Sequence, residues 1–180
     1  MKGLRIVGFL LTSVFAVNAQ VLTLKISTSG LEINNQLVKL PIAENSLRTI
    51  LGNPDRTTNK ANLISTWDKL GVIAYQSIAG EKFSEIAIIL DVKQNKFDFT
   101  PAQAFSGNLF VDGAAVMASS TRSSINATKT GAKFKPIVVA PFLSELTSGK
   151  NCLTMLQDER GKVSSLGKVQ QISVTACEKK

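Results

Sequence analysis

Histidine is absent from all 180 residues. That absence removes Ser-His-Asp and Cys-His catalysis and every histidine-ligated metal site. No Gly-rich phosphate loop, dinucleotide fingerprint or calcium loop is present either, so neither a metal nor a cofactor is expected. Tryptophan and tyrosine occur once each and cysteine twice, and acids are outnumbered 13 to 21 by Lys and Arg, for a net charge of +8. What is present suffices for a core: 44% of the chain is hydrophobic and 19% charged. Such a composition excludes a collagen-like, low-complexity or strongly disordered chain and allows one compact domain or two small ones.

Residues 1–19 read as a secretory signal. Lys2 and Arg5 precede an apolar run of 12 residues, Ile6 to Val17, and Val17-Asn18-Ala19 places small residues where a signal peptidase reads. A membrane anchor needs roughly 20 apolar residues, more than this run provides, and no cysteine lies nearby to carry a lipid. The expectation is a periplasmic or secreted chain that starts at Gln20 and has no transmembrane span.

Cleavage removes two basic residues and no acid, which lowers the net charge to +6. Residues 20–92 hold 7 basic and 7 acidic residues, whereas residues 93–180 hold 12 and 6. No acid occurs between Asp112 and Glu145, and Arg122, Lys129, Lys133 and Lys135 fall in that gap. An exported protein rarely meets nucleic acid, so the expected partner is a protein or an anionic envelope component. The plainer alternative is a solvated basic loop.

The two cysteines, Cys152 and Cys177, form an even pair in an exported chain, which reads as a disulfide closing a loop of 26 residues. Chain entropy values such a loop at roughly 3–4 kcal/mol. A thioredoxin-like redox pair would need Cys-x-x-Cys spacing, which is not found here.

Period-two alternation of Leu22, Leu24 and Ile26 predicts a strand, and Leu31–Ile33 with Leu37–Leu40 predicts a hairpin around Asn34-Asn35-Gln36. A short helix is expected over Glu44 to Leu51, ended by Gly52 and Pro54. Leu63–Asp68 and Val72–Gln76 read as a second hairpin, and Glu85–Val92, apolar on both faces, as a central strand.

The second half reads as a degenerate copy of the first. An Asp112-Gly113 turn joins two apolar runs, Phe142–Ser148 is expected to be a short helix ending at Gly149, and Asn151–Gln157 runs into a turn. The copies differ over residues 118–136, which read as a long polar, basic loop. The expected organisation is therefore a signal at 1–19, one α+β half at 20–92 and another at 93–180. The fold class is α+β, mainly antiparallel hairpins with two short helices.

The run Leu47 to Arg56, with its Leu-Gly-Asn-Pro turn, and Ser65-Thr66-Trp67-Asp68-Lys69-Leu70-Gly71-Val72 carry a resemblance. Together with Phe97-Asp98-Phe99 and Phe105-Ser106-Gly107, they resemble a domain-of-unknown-function family of exported Gram-negative bacterial proteins. The resemblance covers roughly Leu22 to Val116 and implies a compartment and an α+β fold, without an activity. The turn and Trp-bearing strand are also similar to small envelope domains, namely outer-membrane assembly lipoproteins and secreted β-lactamase inhibitor proteins. Those bind proteins through helix-and-sheet modules.

Trp67-Asp68 is the most distinctive pair. It suits an exposed aromatic anchor beside an acid at a partner interface, or a core tryptophan whose neighbour binds backbone amides in a turn. Sharing a strand face with Leu63 favours the core. Ser165-x-x-Lys168 and Lys129-Thr130-Gly131 match the acylation motifs of penicillin-binding proteins, but in reversed order. Asp68, Glu85, Asp91, Asp98 and Asp112 are available for carboxylate-dependent glycan cleavage. The leading expectation is a non-catalytic macromolecule-binding module of the inhibitor or immunity type, with Arg122, Lys129, Lys133, Lys135, Trp67 and Asp68 as its partner-binding candidates. The alternative is a carboxylate-dependent envelope or cell-wall hydrolase.

Overall fold

A computed structural model describes residues 21–27, 30–59, 63–76, 82–92, 97–138, 140–148, 151–157 and 167–176. The strands, in chain order, are β1 (Thr23–Ser27), β2 (Gly30–Ile33), β3 (Gln36–Val38), β4 (Ile42–Ala43), β5 (Arg56–Asn59), β6 (Leu63–Trp67), β7 (Val72–Gln76) and β8 (Lys82–Ile89). They continue with β9 (Asn108–Val111), β10 (Ala114–Val116), β11 (Lys135–Ile137), β12 (Ala140–Ser148), β13 (Asn151–Gln157) and β14 (Val169–Ala176). Two helices, α1 (Glu44–Leu51) and α2 (Arg122–Thr128), complete the set.

The strands form two sheets. The smaller has the order β10-β9-β1-β2-β3, and the larger β11-β12-β13-β14-β8-β7-β6-β5, with β4 paired to the start of β8. Pairing is antiparallel except that β1 and β9 run parallel. The α+β expectation holds at that level, with the smaller sheet mixed. Both sheets draw strands from either side of residue 92.

One apolar core joins the sheets. Leu24, Ile26, Leu31, Ile33, Leu109 and Val111 of the smaller sheet pack in it with Trp67, Val72, Ala74, Ile86, Ile88, Ile172 and Val174 of the larger. Each helix adds one fully buried side chain, Leu47 in α1 and Ile125 in α2. Burial of such a side chain contributes roughly 1.5–3 kcal/mol, and in these short helices it outweighs intrinsic propensity.

Two hairpins of the smaller sheet, β2–β3 and β9–β10, turn in the same way. Asn34 and Asn35 have φ of 50° and 64°, and Asp112 and Gly113 have 45° and 83°. Positive φ at both central positions matches the right-handed twist of the strands, and Asn, Asp and Gly tolerate it best.

Three expectations are corrected. Residues 118–136 are not one long loop, because α2 occupies Arg122–Thr128. Its Ser/Thr cluster is a cap: Thr121 Oγ1 accepts from the Ser124 amide at 3.1 Å, and Ser124 Oγ accepts from the Thr121 amide at 2.9 Å. Phe142–Ser148 is not a helix but part of β12, paired with β13 from Leu143↔Leu156 to Ser148↔Asn151, so the ladder overrides local propensity. The central strand begins at Lys82 rather than Glu85, and it lies between β14 and β7. The expected signal and the Cys177 half of the expected disulfide lie outside the described residues. Cys152 lies in β13, opposite Thr175 of β14.

Candidate functional site: an aromatic ridge on an Arg56–Asp68 clamp

The Trp67-Asp68 pair is where the larger sheet is tied to the connection between β8 and β9. Trp67 is 2% exposed and its Nε1 donates to the Gly52 carbonyl at 2.9 Å. The Leu-Gly-x-Pro turn and the Trp-bearing strand are thus one unit: the turn that ends α1 satisfies the indole. Asp55, next in the same turn, accepts from the Asp68 amide through Oδ2 at 2.8 Å.

The Asp68 side chain points the other way, to Arg56 of β5. Arg56 Nε donates to Asp68 Oδ2 at 2.8 Å and Nη2 to Oδ1 at 2.7 Å, a two-pronged geometry that a guanidinium alone provides. The Ala102 amide adds a third donor to Oδ1 at 2.9 Å. The hydrogen bonds from Arg56, joined by that of the Ala102 amide, hold the Asp68 carboxyl below its ordinary range, and Asp68 raises Arg56 in turn. Asp68 is therefore an ionised, fully engaged carboxylate.

Arg56 still has donors to spare, and it spends them on the connection. Nη1 donates to the Asp98 carbonyl and Nη2 to the Thr100 carbonyl at 2.7 Å. Thr66 Oγ1 takes the carbonyl between them, that of Phe99, at 3.0 Å. Three consecutive backbone carbonyls are fixed by two side chains of β5 and β6.

This fixes the rings. Phe99 packs against the second apolar cluster, Ile73, Ala87 and Ile89, on the face of the larger sheet away from the main core. Tyr75 meets Phe99 edge-to-face at 5.9 Å, and Phe97 stacks on Phe99 at 5.2 Å with planes 6° apart. Burial, with Glu85 nearby, pushes the Tyr75 phenol up to about 12, so it stays neutral at physiological pH. Phe97 itself is 63% exposed. The outcome is a ladder of three rings, rooted in the sheet, with its last ring in solvent.

The basic stretch is arranged otherwise than its charge suggests. Lys129 is 2% exposed, and its Nζ lies 2.9 Å from Asp112 Oδ2. The ammonium also donates to the carbonyls of Thr130, at 2.9 Å, and Ala132. With all three ammonium donors used, Lys129 is a buried, neutralised strut between the end of α2 and the β9–β10 turn. Asn126 closes the same corner by exchanging two hydrogen bonds with the backbone of Phe134, at 2.9 and 3.0 Å. Lys133 and Lys135 are exposed and Arg122 half-buried, so these three carry the surface charge of the stretch. They lie on a different element group from Trp67 and Asp68, which the structure brings together with Arg56.

Residues 23–126 match the family described as a domain of unknown function, DUF7738. The chain belongs to this family. No curated protein and no solved structure matches it. The DUF7738 match contains every residue of the clamp and the ridge, and it ends inside α2. Sequence reasoning reached this site through Trp67-Asp68 but passed over Arg56 and the exposure of Phe97. The available signal was the Phe97-Asp98-Phe99 repeat; in the structure it lies in a turn closed by the Thr100 amide donating to the Phe97 carbonyl at 2.9 Å, and there the two rings stack.

Proposed function

We propose that this DUF7738 chain is an exported, non-catalytic protein-binding module of the inhibitor or immunity type that engages its partner through Phe97. The observation that carries this reading is an aromatic side chain left 63% exposed on a segment whose backbone is clamped at three successive carbonyls. Aromatic anchors dominate binding energy where they enter a partner's pocket, and a pre-ordered anchor loses little entropy on docking. The hydrolase alternative gains nothing from Asp68, since a carboxyl held below its ordinary range by Arg56 is poorly suited to donate a proton.

Export is supported by the pattern of Lys2, Arg5, the Ile6–Val17 run and Val17-Asn18-Ala19, with Gln20 as the first mature residue. We also propose that the chain arose by internal duplication. Each half has a hairpin, a helix and four successive strands, and β8 meets β14 antiparallel at the centre of the larger sheet. Around β1, the β2 hairpin runs antiparallel and the β9 hairpin parallel, the relation that a two-fold rotation produces.

The test is capture from periplasmic extract with immobilised mature protein, against a Phe97→Ala bait of equal thermal stability. Saturable retention of a defined protein by the wild type, reduced at least tenfold by the variant, is the expected result. Equal retention by both baits would reject Phe97 as the anchor. No retention by either would reject the binding reading.

A further inference from the structure

The β11–β12 hairpin differs from two other hairpins of this chain, β2–β3 and β9–β10, in the residues that it places at its turn. The turns at Asn34-Asn35 and Asp112-Gly113 use residues that suit a tight reversal and face water. Between Ile137 and its partner Ala140, the sequence instead places Val138, followed by another valine. Val138 is 95% exposed, the highest value among the exposed large hydrophobic side chains of the described residues. At the tip of a turn this β-branched apolar side chain lies outside the core and gains no burial from the fold.

The sequence before it has one sign over a long stretch. From Asp112 to Glu145 there is no acid, and Asp112 is already engaged by Lys129. Lys135 opens β11 and Lys133 lies two residues before it, both exposed. Lys133 keeps its Nζ on the Lys129 carbonyl, a neutral acceptor, at 2.6 Å, and no carboxylate among the described residues forms an ion pair with it. Glu145 stands opposite Lys135 in the ladder, at the end of β11 away from the turn. An apolar tip on a basic stem is the pattern of a side chain that enters the acyl boundary while ammonium groups meet lipid phosphates.

We propose that this hairpin is a membrane-surface contact, with Val138 entering an anionic bilayer and Lys133 and Lys135 at its headgroups. The inference is independent of the Phe97 reading, because the two sites lie on different elements and neither uses the other's residues. The occupant is an anionic lipid surface rather than a protein pocket, because the acid-free stretch supplies charge complementarity of the sign that phosphates need.

The experiment is sedimentation of the mature protein with vesicles of phosphatidylcholine containing a quarter phosphatidylglycerol, beside vesicles of phosphatidylcholine alone. Binding to the anionic vesicles, weakened at least tenfold by Val138→Asp and by Lys133→Glu/Lys135→Glu, and falling as salt rises, is expected. A Val138→Trp variant reports insertion directly: its added indole emission should shift to the blue with anionic vesicles and remain unshifted with neutral ones. All these positions are exposed, and unchanged melting temperatures verify that the variants fold. Absence of binding to anionic vesicles, or binding indifferent to Val138→Asp, would overturn the proposal. So would a lipid-free dimer in analytical ultracentrifugation that Val138→Asp dissolves, since the tip would then be an interface between copies.

Discussion

Arg56 of β5 and Asp68 in the turn after β6, twelve residues apart, form a two-pronged ion pair, and the same guanidinium holds the backbone that carries the exposed ring of Phe97. The pair is a hinge pin between the larger sheet and the connection leading to β9. Its value lies in geometry more than in charge, because Arg56 is 42% exposed and a solvated pair contributes little by attraction alone.

Arg56→Ala should release the segment before it unfolds the protein. Amide exchange at Phe99 to Gln103 should accelerate, while the amides of β7 and β8 keep their protection. The stability loss should be about 1–2 kcal/mol, the range for charge-assisted hydrogen bonds discounted for exposure. Arg56→Lys should rescue little, because an ammonium cannot serve the carboxylate and two carbonyls together. Protection unchanged in Arg56→Ala would refute the clamp.

Acid should loosen the same place. The Asp68 carboxyl is depressed by Arg56 when folded and returns toward its ordinary 3.8 when unfolded. A depressed folded value means that the stabilisation is complete above the unfolded value and is lost as pH falls through the folded one. The melting-temperature gap between wild type and Asp68→Asn should therefore be widest near neutrality and narrow steadily below about pH 4. A gap that stays constant down to pH 2 would be inconsistent with the pairing.

At the other corner, Lys129→Ala should cost about 3–5 kcal/mol, because it strands the Asp112 carboxylate in the interior. The double variant Asp112→Asn/Lys129→Met should be less damaging than the sum of its singles, since asparagine keeps the positive-φ preference at 112 and no lone charge remains. Additive losses in chemical denaturation would show that the two side chains do not depend on each other.

Gly71 makes a sharper backbone test. Its φ is +67°, and a Cβ there would collide with the backbone of Phe105, so Gly71→Ala should destabilise by about 1–3 kcal/mol through overpacking and strain. Gly52, also at positive φ but facing open space, should tolerate alanine better. Equal losses at the two positions, by thermal melt, would contradict the close approach at Phe105.

Local signals carried much of the first half. The Asn34-Asn35 turn, α1 from Glu44 to Leu51 and the β6–β7 hairpin each announce themselves through turn chemistry, a helix stop or alternation within a dozen residues. The second half was harder to read because its elements are decided at a distance. β12 is a strand because β13 lies beside it, and α2 hides its single buried residue, Ile125, behind a serine-rich cap that resembles loop sequence. Charge misled in a similar way at Lys129: a basic count cannot reveal that Asp112, 17 positions earlier, faces it in space. Arg56 was missed because its partners, the carbonyls of Asp98 and Thr100, are anonymous in sequence and lie more than 40 residues away.

The parallel pairing of β1 with β9 sets an order of events for a chain made from its amino end. Thr23 and its partner Asn108 are 85 residues apart, so the earliest of these strands to emerge has one flank exposed until most of the polypeptide is available. Loop closure over such a span is slow compared with the neighbouring hairpins. A chaperone that shields Leu24 and Ile26 in the interval would have a simple target: a half-paired ribbon whose second neighbour has not yet arrived.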